Sequence, residues 1–165
     1  MPGFTHLHTA SGYSLRYGAS HPERLAARAA ARGLDALALT DRDTLAGTIR
    51  FAKACEKEGV RPLFGVDLAY EPAARGPAGG PQDVRRAPVR GGAFIDESAP
   101  RAVFLARSRT GWASLCAMVT AAHAGGGDRP LLPWSALHGD VFVLLGPASD
   151  IGRALAAGRP DRAAR

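Results

Sequence analysis

Two hydrophobic periods alternate along this chain. Apolar runs of strand length fall at residues 3–9, 34–40, 63–70, 103–105 and 141–145. Between them lie longer stretches with apolar residues every three or four positions, the spacing of one helix face. Ser20-His21-Pro22-Glu23 opens the first such stretch, with proline suited to a first turn and Ser20 and Glu23 at capping-box spacing. Leu25, Ala26, Ala29 and Ala30 give it a stripe, and Gly33 stops it. A second helix is predicted over 44–58, with Leu45, Ile49, Ala52 and Cys55 inward and Gly59 as its stop. A third is predicted over 110–123, with Trp112, Leu115, Val119 and Ala122 inward. Residues 34–40 are rich in helix-favouring alanine and leucine, but Gly33 before and Asp41-Arg42-Asp43 after them favour a strand. Strand–helix alternation predicts an α/β fold of parallel strands with right-handed crossovers.

Residues 71–100 break the alternation. Glycine and proline punctuate a segment of low apolar content, read as a flexible insertion in a domain covering 1–150. Residues 151–165, rich in Ala, Gly and Arg, read as a weak helix, a frayed tail or the start of a truncated remainder. The 165 residues suffice for one domain with its own core. No apolar run approaches a membrane span, and no signal-peptide pattern opens the chain. Cys55 and Cys116 read as reduced core thiols of a cytoplasmic protein. The net charge of +6 is almost all arginine, with lysine only at Lys53 and Lys57. It therefore reads as coding bias as much as a nucleic-acid face.

Candidate chemistry gathers at the predicted strand ends, where open α/β sheets carry their sites. On a strand, His6 and His8 point the same way and two imidazoles one pleat apart can meet one ion; the plainer alternative is two histidines satisfied by backbone or water. Asp41 and Asp43 follow the second strand, and Asp67 lies late in the third, on the face opposite Phe64, Val66 and Leu68. Imidazole with carboxylate suits zinc, manganese or iron, and such ions support phosphate-ester hydrolysis through metal-bound hydroxide. Arg42 is a candidate phosphate or DNA contact, or a surface residue.

The stretch Phe4-Thr5-His6-Leu7-His8-Thr9-Ala10-Ser11-Gly12-Tyr13-Ser14 resembles the opening motif of the PHP (polymerase and histidinol phosphatase) domain. Ala36-Leu37-Ala38-Leu39-Thr40-Asp41-Arg42-Asp43, Pro62-Leu63-Phe64-Gly65-Val66-Asp67, Val103-Phe104-Leu105-Ala106-Arg107 and Gly111-Trp112-Ala113-Ser114-Leu115 continue the likeness. The combination is most similar to the N-terminus of bacterial DNA polymerase III alpha subunits, and Asp41-Arg42-Asp43 to their error-prone branch. The resemblance implies a distorted β/α barrel of parallel strands, here incomplete at its C-terminus, with divalent metal (Zn, Mn or Fe) at reduced occupancy. His6, His8 and Asp41 match the implied ligands; Asp67 stands for a glutamate, Arg42 and Arg101 for histidines, and Pro147 for a cysteine. Cations in place of neutral donors remove ligands and repel an ion. The implied role is a mainly structural PHP domain with a degenerate site at His6, His8, Asp41 and Asp67. It would serve DNA replication or error-prone translesion synthesis and DNA repair, with the rest of the polymerase chain as partner and DNA reached through that parent. The polymerase active site would lie elsewhere, with no catalytic residue here and weak or lost phosphoesterase activity. The alternative is a freestanding metal-dependent phosphoesterase.

Overall fold

The computed structural model of the chain describes residues 4–71, 87–88, 94–95, 97–125 and 129–164. The first helix, α1 (Pro22–Ala31), precedes β1 (Ala36–Arg42), and α2 (Thr48–Glu58) leads to β2 (Arg61–Ala69). β3 (Ala87–Pro88) and β4 (Phe94–Ile95) form a separate two-stranded pair. Then come β5 (Arg101–Ala106), α3 (Arg109–Ala124), a 3₁₀ turn at Trp134–Ala136, β6 (Val141–Leu144), α4 (Asp150–Ala156) and α5 (Pro160–Ala163). The main sheet has the order β1-β2-β5-β6. Most of the 71–100 segment, with Arg75, Arg85, Arg86 and Arg90, lies outside the described residues.

The α/β class stands, but the expectation that all strands are parallel is corrected. β1 and β2 are parallel; β2 with β5, and β5 with β6, are antiparallel. For β6 the reason is the extra leg after α3. The chain crosses back beside β2, where Leu132 donates its amide to Ala69 O and Glu71 donates to Leu132 O. It returns along residues 133–140 before β6 begins next to the end of β5, with Val141 opposite Ala106. A helix plus a return leg reverses the strand that follows, whereas a helix alone would have left it parallel. The histidine stretch, expected as a strand, makes a single parallel bridge from His6 to Leu37, with amide bonds from Ala38 to His6 O and Thr40 to Thr9 O.

Sheet register sorts the side chains. Leu39 faces Phe64, Asp41 faces Val66, and Val66 faces Phe104, so these residues share one face. Helices α1, α2 and α3 cover it: Leu37, Leu39, Phe51 and Cys55 form one cluster, and Val66, Leu68, Phe104, Leu115 and Met118 another. The second helix is rotated from its expected stripe, since Phe51, Ala54 and Cys55 are buried while Ile49 is 63% exposed. Burial pushes the Cys55 thiol up to about 11. The first helix is capped at His21, not Ser20, and no side chain caps it. The opposite sheet face carries a smaller cluster of Ala38, Val103 and Leu105, and toward the strand ends Thr40, Arg42, Asp67 and Arg101.

The segment after Gly146 is helical and tethered. Ser149 accepts from the Gly152 amide, and Tyr70 donates its hydroxyl to Asp150 at 2.5 Å. Arg153 donates to the carbonyls of Glu97, Ser98 and Ala99 at 2.7–3.0 Å. Burial, then the Asp150 bond, push the Tyr70 hydroxyl up to about 12.

Candidate polar centre at the strand ends

Two aspartates end neighbouring strands and go different ways. Asp41, 2% exposed, lies on the helix-covered face. Its Oδ1 accepts from the Ser11 amide at 2.6 Å and the Ser14 hydroxyl at 2.6 Å. Its Oδ2 accepts from the Ser11 hydroxyl at 2.7 Å. Neutral hydroxyls and an amide thus satisfy both oxygens, and the loop 9–18 wraps around the carboxylate. Ser14 Oγ also accepts from the Arg42 amide at 2.8 Å. Gly18 closes this loop, because a Cβ there would sit 2.0 Å from Ser11 O, a contact no side chain tolerates.

Asp67 lies on the other face, two strand positions before the end of β2. Arg101 meets it from β5: Nε donates to Asp67 Oδ1 at 2.9 Å, and one Nη donates to Asp67 O at 2.8 Å. The same Nη donates to Asp43 Oδ1 at 2.9 Å. Arg101 is 9% exposed, so its charge is buried among its partners. His8 Nε2 approaches Asp67 Oδ2 at 3.5 Å. Burial acts to raise the Asp67 carboxyl, but the His8 bond and the Arg101 charge and bond outweigh it and hold it below the usual aspartate range.

Asp43 is shaped for this role. Its φ of 59° is left-handed, a conformation aspartate tolerates better than most residues, and it turns the chain back over β2. Its amide donates to Asp67 O at 2.9 Å, and His123 Nε2 lies 2.7 Å from its carbonyl. A carbonyl only accepts, so that ring nitrogen carries the hydrogen. The centre therefore binds together the β1 end, β2, β5 and the last turn of α3.

Of the sequence-predicted site residues, His8 and Asp67 come together. His6 bridges Leu37, five positions along β1 from the Arg42–Asp67 rung, or ~16 Å of strand. Its ring packs edge-on against Phe4 at 4.7 Å. Asp41 faces away from Asp67. Arg42 stacks 3.8 Å over the Tyr17 ring and reaches Glu97 at 3.5 Å. Tyr17 donates to the same Glu97 oxygen at 2.6 Å, and burial, then that bond, raise its hydroxyl. Among the described residues, no three His, Cys, Asp or Glu side chains are grouped to hold a metal ion. The donors present do not fit a resident divalent cluster: one carboxylate is closed by serines and the other is clasped by a guanidinium. Sequence reasoning passed over Ser11, Ser14 and His123; a serine pair three apart beside a buried strand-end aspartate was the available signal.

This is an α/β domain whose strand ends carry a buried arginine–aspartate centre. The chain belongs to the PHP domain family, which matches residues 6–165. It is 36% identical over 98% of its length to the error-prone DNA polymerase of Mycolicibacterium paratuberculosis, and equally to that of Mycobacterium tuberculosis. It spans about 14% of the length of those relatives and matches their N-terminal region. A solved amidohydrolase from Chromobacterium violaceum aligns over 73% of this chain and 34% of its own, at 25% identity and a TM-score of 0.49. Among the described residues no helix is long and apolar enough to cross a membrane.

Proposed function

We propose that this chain works as the PHP domain of an error-prone type DNA polymerase and contributes structure to it rather than phosphoester chemistry. The observation that carries the reading is the 36% identity to such polymerases across 98% of the chain. Its partner is then the remainder of a polymerase chain, through which it meets DNA during error-prone synthesis or repair in the cytoplasm. The polar centre supports the structural part. Asp67, the carboxylate best placed to serve chemistry, already holds a fixed cation, and hydrolysis needs open positions around an ion or nucleophile.

A chimaera tests this. When this chain replaces the corresponding segment of the M. tuberculosis polymerase, the product extends primers, and deletion of the segment abolishes soluble polymerase. A soluble chimaera without primer extension contradicts the proposal. Incubation with manganese and an aryl phosphate gives background release only. Robust release that His8→Ala abolishes favours the freestanding phosphoesterase, with manganese, zinc or iron at a site built on His6, His8, Asp41 and Asp67.

A further inference from the structure

We infer that the outer faces of α1 and α2 together form a binding face for the phosphate backbone of duplex DNA. Both helices connect parallel strand segments and bury Ala26, Ala29, Phe51, Ala54 and Cys55 in one cluster, so they lie side by side against the sheet. Their opposite sides are exposed. These carry Arg24 and Arg28 on α1 and Arg50, Lys53 and Lys57 on α2, against two exposed carboxylates, Glu23 and Glu56. Helical spacing sets the cations in two rows. Positions 24 and 28 are one turn apart, and 50, 53 and 57 follow one helix face over ~10 Å. Arg50, Lys53 and Lys57 line a shallow groove where Glu23 of α1 meets α2, with the small Ala54 among its walls.

The fold does not use these charges. Arg101, Arg107 and Arg153 are committed to carboxylates or carbonyls elsewhere. Among the described residues, Arg24, Arg28, Lys53 and Lys57 make no ion pair, and Arg50 makes one with Glu23 at 3.5 Å on open surface. Such a pair contributes little and exchanges readily for phosphate. Lys53 and Lys57 are also the chain's only lysines. A bias toward arginine therefore does not explain them, and both stand on one face, one turn apart. An ammonium on a flexible stem meets phosphate as a point charge, without the planar match a guanidinium makes. The two rows lie one helix-packing distance apart, about 8–10 Å, against a major groove about 12 Å wide, so each row can follow one strand. Contacts of this kind fix position and carry no sequence information. The choice of DNA over another polyanion rests on the proposed polymerase role, in which DNA is met through the rest of the polymerase; the chimaera can extend primers while this face fails to bind, and the reverse.

The test is fluorescence anisotropy of a labelled duplex of about 20 base pairs, titrated with the 165-residue chain across about 25–200 mM salt. Wild type binds at low salt, and the logarithm of the binding constant falls with that of salt at a slope of about −3 to −4, as four free cations require. Lys53→Glu combined with Lys57→Glu weakens binding at least roughly tenfold and makes the slope shallower by about 2. Lys53→Gln combined with Lys57→Gln weakens it less, in the same direction, and carries the test should the glutamate pair unfold. Arg109→Glu combined with Arg159→Glu removes the same charge from exposed positions elsewhere and leaves affinity within about threefold of wild type. Absence of binding at the lowest salt, an unchanged affinity in both lysine pairs, or an equal loss in the Arg109 and Arg159 pair overturns the inference. Tighter binding to phosphatidylserine vesicles than to the duplex gives the face to a membrane and overturns it too. So does displacement of the duplex by inorganic phosphate beyond that by chloride at equal ionic strength, which marks a discrete anion pocket.

Discussion

Asp41 and Asp67 differ by one strand and one sheet face, and their surroundings assign them different work. Asp41 sits beneath the helices and takes three short bonds from Ser11 and Ser14, all within one loop. Asp67 sits on the opposite face and takes Arg101 from β5 and His8 from the N-terminal stretch. Local neutral donors make a carboxylate a loop organiser. A buried cation drawn from a distant strand makes one the pivot of a tertiary clasp. A carboxylate at a strand end is thus not evidence for one role until the face it occupies is known.

Substitutions can pull this contrast apart. The largest effect belongs to Asp41→Ala, which strands a buried amide and two buried hydroxyls. It should cost ~3–5 kcal/mol and lower the melting temperature by roughly 10 °C, read by circular dichroism. Asp41→Asn should lose less, because the amide keeps one oxygen acceptor and the serine hydroxyls can rotate to meet it. Equal losses in the two variants would mean that charge, not acceptor geometry, organises the loop.

Ser14→Ala comes next, at about 1–2 kcal/mol, since it removes the donor to Asp41 and the acceptor for the Arg42 amide together. Urea titration reads it.

Acid sharpens the Asp67 side. Its folded carboxyl lies below the ordinary value, so the stabilisation is complete above about pH 4 and is lost as pH falls through the lowered folded value. The Asp67→Asn variant should therefore lose less stability than wild type between pH 5 and about pH 2. Parallel acid limbs for the two proteins would remove Asp67 from the account.

The smallest effect is at Tyr70→Phe, outside both aspartates. It loses the Asp150 bond and should cost about 1 kcal/mol, with protease cleavage after α4 increasing. Unchanged cleavage would show that Arg153 holds α4 unaided.

Much of this arrangement was readable from residue order. Alternation in β2 placed Asp67 opposite Phe64, Val66 and Leu68, and the structure has it in a polar interior site on that side. The helices over 44–58 and 110–123 formed within a few residues of expectation. The face of Asp41 was not readable, because 36–40 are buried on both faces of the sheet and carry no alternation. The direction of β6 was lost in 129–140, a crossing and return leg with neither helical nor strand period. The Arg101 clasp depends on closing Asp43 onto β5 across 58 positions of chain, which no local pattern records. Arginine in place of an expected donor was visible; that it supplies its own charge to the carboxylates was not.

A crystal structure of the chain grown with manganese, with diffraction recorded at the manganese absorption edge, shows what occupies the space between the two carboxylates. Flat guanidinium density joining Asp67 to Asp43 is expected, with no anomalous peak between them. An anomalous peak among His8, Asp43 and Asp67, with Arg101 swung clear, would contradict it.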